Sequence, residues 1–549
     1  MKTFKAGLIT LVIAVMVINL SIHAQKKEII AYYPEWGVKG LRYYAKHIEK
    51  SGAAEKLTTL IYAFCYPAPD SSGQIVPMFM NSYQAYQQPY SAEMSIDGIA
   101  DDSIKQVLRG QFNQLRKLKA RHPNIKILIS IGGWTGSNYF SDAAVTPEVR
   151  EKFASAVVDR YILGNLPVEN NAGGTGAASG VFDGIDIDWE YPLRGGVEGI
   201  HHNEKDNDNL TELFALFRKK LDEIKPGLLL TAAVPASENL ARNYNISKDQ
   251  QYLDWYNIMT YDFRGSWSKA SGHHSNLFSS FSPESPDGMK ESLDYAVRFF
   301  CDTLGVESKK IVIGAAFYGR GWQTKDSLNY GLYREGEAAA GIYESGYNYY
   351  ADLSGFTNQG YIYNWDNAAM APTLFNSRDK IFWSLDDEKS VALKSRYADA
   401  YKLRGVMFWE ISGDDSSGSL INAIYNGEIA EKKSDRIYSD KLVSAKKTSG
   451  NKSSDKEFLL KKIKITSPSS AVKLLKGSSV VITTDASEQM DKITKVEFFA
   501  DNISLGFDNR SPYSWAWFNI PAGRHTLKVI ATDISGKKVS SKSVMVKVK

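Results

Sequence analysis

The run Phe182-Asp183-Gly184-Ile185-Asp186-Ile187-Asp188-Trp189-Glu190-Tyr191-Pro192 places four carboxylates within eight residues. Asp186, Asp188 and Glu190 share one parity, and Ile185 and Ile187 the other. On a β-strand, residues two apart point to the same side. Three acids therefore line one face while branched apolar side chains anchor the opposite one. Like charges crowded in apolar surroundings cannot all ionise, and one is driven towards its protonated form. A neutral acid beside other carboxylates is equipment for donating a proton to a leaving oxygen. A solvated acidic loop would not interleave Ile, Ile and Trp with its acids. The pattern marks a catalytic strand, with Glu190 at its end as the candidate acid and Asp188 and Asp186 behind it. Asp183 has the opposite parity and is assigned a supporting role.

The elements that must position these acids recur along the chain. Apolar, strand-like runs occur at 28–33, 57–65, 125–131, 181–188, 228–234, 256–261, 311–318 and 405–409. Most are short and continuous, as expected of strands buried on both faces. Helical patterns lie between them. One is expected from Ser103 as N-cap, with Ile104, Val107, Leu108, Phe112, Leu115 and Leu118 on one stripe. Another carries Leu210, Leu213, Phe214, Phe217, Leu221 and Ile224 and is stopped by Pro226-Gly227. Eight strands alternating with helices predict a closed (β/α)8 barrel. An open doubly wound sheet is the alternative, but no Gly-rich phosphate loop follows the first strand.

In such a barrel the chemistry sits at the C-terminal strand ends. Strand four ends at Glu190, and strand six in Met259-Thr260-Tyr261-Asp262. Strand eight ends in Trp409, and strand three in Gly132-Gly133-Trp134, where missing side chains are expected to let a ligand approach backbone. Trp36, Trp134, Trp267 and Trp322 follow strand ends, and indoles at a cleft stack on the apolar faces of sugar rings.

Composition narrows the class. The chain has 549 residues, too many for one ordinary domain, and only two cysteines, which excludes a disulfide scaffold. No zinc-like Cys/His spacing occurs. Lys2 and Lys5, the apolar run from Ala6 to Leu20 and Ile22-His23-Ala24 read as a secretory leader. The mature protein is then expected outside the cell or in a periplasm, with no membrane association. Residues 431–549 carry 23 Lys and Arg against 12 Asp and Glu, within a chain of net charge +4. The excess is spread without any nucleic-acid-binding motif, so a solvated face is expected. Residues 431–457 are Lys- and Ser-rich, as a linker would be. Beyond them, short alternating runs separated by turn signals predict a β-sandwich in which Trp515 and Trp517 share a buried face.

The chain resembles a family 18 glycoside hydrolase, a bacterial chitinase of the deep-cleft subgroup. The family's DxxDxDxE signature is matched by Asp183, Asp186, Asp188 and Glu190. Its SxGG motif is matched by Ser130, Gly132 and Gly133, and its MxYD motif by Met259, Tyr261 and Asp262. The segments 315–322 and 405–410 also resemble it, as does the stretch Pro34-Glu35-Trp36-Gly37-Val38. The resemblance implies an α/β chain: a (β/α)8 TIM barrel with an α+β insertion domain, followed by a C-terminal immunoglobulin-like β-sandwich. The boundaries expected are 1–24 for the leader, 25–427 for the catalytic domain with its insertion at about 323–389, 428–458 for the linker and 459–549 for the sandwich.

It also implies retaining, substrate-assisted cleavage of chitin or chitooligosaccharides, with no metal or other cofactor and a monomeric enzyme. Glu190 would be the acid, and Asp188 would hold the substrate's acetamido N–H. Asp186 would share a proton with Asp188, and Tyr261 would orient the acetamido oxygen. Asp262, Met259, Trp409, Tyr32, Trp36, Trp134 and Trp267 would contact sugar. Arg320 resembles a substrate contact, with a structural salt bridge the alternative reading. The long loop at 164–180 departs from the family pattern and is expected to lie away from the site. Other activities that fit the same motifs are an endo-N-acetylglucosaminidase, a peptidoglycan hydrolase and, least well, a chitin-binding lectin.

Overall fold

The computed structural model describes residues 27–279, 290–427 and, with short breaks, 463–549. The expected leader and linker lie outside the described residues. The barrel strands are β1 (Glu28–Pro34), β2 (Thr59–Pro69), β3 (Lys126–Gly132), β4 (Gly184–Asp188), β5 (Leu229–Pro235), β6 (Trp255–Met259), β7 (Ile311–Ala316) and β8 (Gly405–Trp409). Each pairs in parallel with its sequence neighbour, and β8 returns to β1 with Glu28 opposite Gly405 and Ala31 opposite Phe408. The sheet is thus a closed barrel.

Strand alternation sorts its side chains. Ile30, Tyr32, Ile61, Ala63, Leu128, Trp255, Val312 and Met407 pack inside the barrel. Ile29, Tyr62, Ile127, Ile129, Ile185 and Ile187 pack outside, beneath the helices. Both sets are buried, which is why the strands read as continuous apolar runs. Three non-prolyl cis peptides occur: Ala63-Phe64 midway along β2, Glu190-Tyr191 just past β4 and Trp409-Glu410 at the end of β8.

The outer helices include Gly110–Arg121 and Asp206–Ile224. The first starts later than its apolar stripe predicts. Ile104 is 80% exposed and Val107 51%. The Asp102 carboxylate takes the backbone N–H groups of Ile104 and Lys105 into a turn, which competes with helix initiation at Ser103. Arg109 then lies extended and buried, donating to the carbonyls of Gln87, Ser103 and Asn170. The extended backbone of Arg109 and the positive φ of Gly110 keep the helix from reaching further towards the N-terminus. The loop at 164–180 folds into a short hairpin, Leu166–Glu169 against Ala172–Gly174, which packs on this wrap rather than on the C-terminal mouth.

Between β7 and β8 the chain forms an antiparallel sheet whose first strand already begins at Tyr318 and whose last ends at Leu385. Trp322 sits on that first strand, fully buried against Leu332, Phe375 and Phe382. The expectation that it lines the rim is therefore wrong: β7 ends at Ala316, and Trp322 alternates into the core of the insertion.

Residues 463–549 form two packed sheets, one of strands Lys464–Ser467, Val480–Asp485 and Ser514–Trp517, the other built around Ile493–Ala500 and Gly523–Asp533. Trp515 and Trp517 are both buried.

Candidate active site

Asp186 and Asp188 point into the upper barrel from β4, and Glu190 follows on the turn beyond it. All three are buried. Asp186 is held by donors from four other strands. Tyr32 on β1 and Ser130 on β3 donate to Oδ2 at 3.0 and 2.7 Å. Thr231 on β5 and Asn257 on β6 donate to Oδ1 at 2.6 and 3.2 Å. The Trp255 indole N–H donates to Asn257 Oδ1 at 3.0 Å, which turns the amide nitrogen towards Asp186.

Asp188 has no such cage, and its Oδ1 has no hydrogen-bond partner. Each Asp186 oxygen thus accepts two of these bonds, while Asp188 keeps one oxygen free.

Backbone contacts set the height of Glu190. Its N–H donates to Ser137 Oγ at 2.9 Å, and that hydroxyl donates to the Gly133 carbonyl at 2.9 Å. The Gly133 N–H donates to the Asp188 carbonyl at 2.8 Å. Gly132 and Gly133 both adopt positive φ. A Cβ at Gly132 would lie 2.2 Å from the Asp188 carbonyl oxygen, and one at Gly133 would lie 2.6 Å from the Phe64 ring. The space these glycines leave is filled by protein, not kept open for ligand, which corrects the expectation drawn from the Gly-Gly pair.

Burial is the main cause that pushes the Glu190 carboxyl up to about 7, and the charge of Asp262 adds to it. The neighbouring acids of its own strand are not the leading cause. Asp188 is raised well above the carboxylate range by burial, then by the charges of Glu190 and Asp186. Burial raises Asp186 too, against the pull of its donors from Thr231, Ser130, Tyr32 and Asn257. Burial also disfavours the Asp262 anion, but the Arg320 and His274 side chains outweigh it and hold that carboxyl well below its usual range.

Arg320 grips Asp262 through two parallel bonds, Nε to Oδ1 at 2.8 Å and Nη2 to Oδ2 at 2.7 Å. Its guanidinium also lies over the rings of Trp267, Tyr318 and Tyr347. Of the two sequence readings, the structure shows the salt bridge. His274 Nδ1 lies 3.7 Å from Asp262 Oδ1, the oxygen that also takes the Arg320 Nε bond. Tyr261 lies next to Tyr318 and directs its hydroxyl to Met407 Sδ at 3.7 Å. Met259 packs at the upper end of the barrel interior with Tyr261 and Trp409.

Trp409 forms a floor with Phe64, stacked at 5.8 Å with 16° between planes. Tyr32 and Trp36 flank it at 5.6 and 6.1 Å. Trp36, Trp134 and Trp267 are 38%, 51% and 59% exposed. Trp134 stands over Tyr191, the residue after Glu190, at 6.4 Å. Exposed indoles therefore stand beside Trp409, Tyr191 and Arg320. Asp183 lies at the opposite end of β4. It accepts the Ile127 N–H at 2.9 Å and pairs with Lys119, which fastens β4 to β3 and to an outer helix far from the acids.

Sequence reasoning missed Thr231, Asn257, Ser137, Phe64 and His274. The first two left a readable trace, since Thr231 is the hydroxyl within the apolar run LLLTAAV and Asn257 the amide within WYNIM. Ser137, Phe64 and His274 carry no comparable signal. Among the described residues no group of three His, Cys, Asp or Glu side chains is placed to hold a metal ion.

Removing the Asp262 charge should lower the Glu190 value, because that charge helps to raise it. With Asp262→Asn, the alkaline fall of kcat/KM is expected at lower pH than in the parent enzyme. A pH–rate profile with an unmoved or alkaline-shifted limb would refute the coupling.

Comparison with known proteins agrees with this geometry. The chain is 35% identical over 422 residues to chitinase A1 of Niallia circulans, covering 71% of this chain and 57% of that protein. It is 34% identical over 399 residues to chitinase C of Streptomyces lividans, covering 71% and 58%. It thus spans less than two thirds of the length of these relatives. The catalytic domain of the psychrophilic chitinase B from Arthrobacter TAD20 superimposes with a TM-score of 0.67 at 32% identity, covering 74% of this chain and 95% of that one. Residues 462–529 match the bacterial Ig domain family. Residues 28–414 match the family described as glycosyl hydrolases family 18, and with the barrel, the β4 acids and the MxYD turn in place, the chain belongs to that family.

Proposed function

We propose that the protein is a chitinase, hydrolysing β-1,4 bonds between N-acetylglucosamine units by a retaining, substrate-assisted route. The observation that carries this reading is Glu190: a buried carboxyl, raised to about 7, at the mouth of a barrel walled by indoles. A carboxyl in that range is protonated in a useful fraction near neutral pH and can still release its proton. The relatives whose names contain "chitinase" support the same reading.

In this mechanism a sugar ring lies on Trp409 with its glycosidic oxygen towards Glu190, which donates the proton. The substrate's acetamido carbonyl oxygen attacks the anomeric carbon as the bond breaks, and an oxazolinium ring forms. The free Oδ1 of Asp188 accepts the acetamido N–H. Tyr261 steers the acetamido oxygen. Asp186, fixed by its four donors, stays in place beneath Asp188 as a preorganised polar support. Water then attacks the anomeric carbon as its bond to the acetamido oxygen breaks, which restores the acetamide, and Glu190 takes the proton that the water loses.

An endo-N-acetylglucosaminidase or a peptidoglycan hydrolase would use the same acids. The wall formed by the insertion and the exposed indoles beyond the catalytic floor favour a long, unbranched polymer. A time course of products from chitin, a chitin hexamer, peptidoglycan and a glycoprotein tests the assignment. Short chitooligosaccharides are expected from the first two. Release from peptidoglycan or glycoprotein alone would replace the chitinase reading.

A further inference from the structure

The sandwich touches the barrel through a defined set of side chains. Phe278, on the strap that follows β6, is 2% exposed. Its ring stacks on Trp515 of the sandwich, with centroids 4.2 Å apart and planes at 21°. Phe498 lies beyond Trp515 at 6.3 Å and 24°, so three rings run from the sandwich core into the barrel wall. Gly506 leaves the room this stack requires, since a Cβ there would lie 2.0 Å from the Trp515 ring.

Beside the rings is a buried polar clamp. Arg298 Nη1 donates to Asp508 Oδ2 at 2.6 Å, and Nη2 donates to the carbonyl and hydroxyl oxygens of Ser514, both at 2.7 Å. Ser514 N–H donates to the same Asp508 oxygen at 2.7 Å. Arg298 is also paired with Asp294 of its own helix at 2.9 Å. A buried, doubly paired guanidinium is costly to expose, because separation would leave its partners desolvated without their cation.

Arg298 ends the helix Leu293–Arg298, whose Leu293 and Asp294 N–H groups donate to the Asn276 and Leu277 carbonyls of the strap, each at 3.0 Å, and that strap also contacts the insertion. Leu277 and Phe278 donate their backbone N–H groups to the Ala369 carbonyl of the insertion, each at 3.1 Å. His273 Nε2 lies 3.0 Å from Asp366 of the insertion. The backbone N–H of His274 donates to Ser384 of the insertion at 3.0 Å, while its ring faces Asp262.

We propose that the sandwich is a fixed buttress of the cleft: Trp515, Asp508 and Ser514 grip Phe278 and Arg298, and through residues 271–279 they steady the insertion and Asp262. Trp515 is thereby committed to the barrel and is not a sugar-binding surface. This rests on the docking geometry alone and stands whichever polysaccharide is cut.

The test uses full-chain variants on either side of the contact, Phe278→Ser and Asp508→Asn, with small-angle X-ray scattering, thermal unfolding and amide exchange. The parent should scatter as one compact particle. Each variant should show a larger maximum dimension, a midpoint lowered by at least about 2 °C and faster exchange at 271–279 and 362–376. Adsorption to insoluble chitin should not change. A parent whose scattering requires a detached sandwich overturns the proposal. So do variants that keep the parent's scattering and midpoint, or undocked variants whose exchange at those segments is unchanged. If Phe278→Ser does not fold, Asp508→Asn decides alone. Trp515→Leu that loses chitin adsorption while remaining compact would make Trp515 a sugar contact and end the proposal.

Discussion

Glu190→Gln should lower turnover of chitooligosaccharides by about 10²–10⁴-fold while leaving their binding nearly intact. The amide keeps the volume and the hydrogen-bonding outline of the acid but has no proton to give to the leaving oxygen. The backbone bonds from Glu190 to Ser137 and from Gly133 to Asp188 do not involve the carboxyl, so the turn after β4 should hold its shape. Replacing a carboxyl raised to about 7 by burial also removes an ionisable group from an apolar place, so the fold should not suffer. The check is paired: kcat on a chitin hexamer, and the dissociation constant of the same hexamer by calorimetry. Near-parental turnover would remove Glu190 from the acid role. Lost binding together with lost turnover would mean that the carboxyl positions sugar and not protons.

The second large effect lies on the substrate. A fully deacetylated polymer should give no detectable reducing ends, because the attacking oxygen belongs to the acetyl group. Intramolecular attack of this kind has an effective molarity on the order of 10⁵–10⁸ M, which water from solution cannot replace. Deacetylation also leaves the free Asp188 Oδ1 without its amide partner. In a partly acetylated polymer, cleavage should leave N-acetylglucosamine at every new reducing end, read by NMR. Glucosamine at the new reducing ends in comparable amount would show that the acetamido oxygen is not the nucleophile, and substrate assistance would fall. Glu190→Gln and this experiment are complementary, since one removes the proton donor and the other the nucleophile.

Much of the barrel was legible because parallel strands buried on both faces read as apolar runs, and that pattern is local. The inward parity of Asp186 and Asp188 was legible for the same reason. The start of the helix at Gly110 was not, because the Asp102 turn, the extended Arg109 backbone and the positive φ of Gly110 interrupt an otherwise good apolar stripe. Trp322 leaves the rim because strand alternation continues past the end of β7 into a second sheet, whose core takes the indole. The pair Gly132-Gly133 marked a close approach, but only the fold shows that the approaching atoms are the Asp188 carbonyl and the Phe64 ring.

The sequence by itself determined the types and order of the acids, the strand that carries two of them, and the family. These depend on spacing along one stretch of chain, which covalent geometry preserves. The tertiary structure decided how each acid is treated. Asp186 is surrounded by donors from β1, β3, β5 and β6, and Asp188 by none at its Oδ1. Glu190 owes its proton first to burial and then to Asp262, an anion maintained by Arg320 from the insertion. Charge states follow from desolvation and from neighbours that are distant in sequence, and these exist only once the barrel has closed.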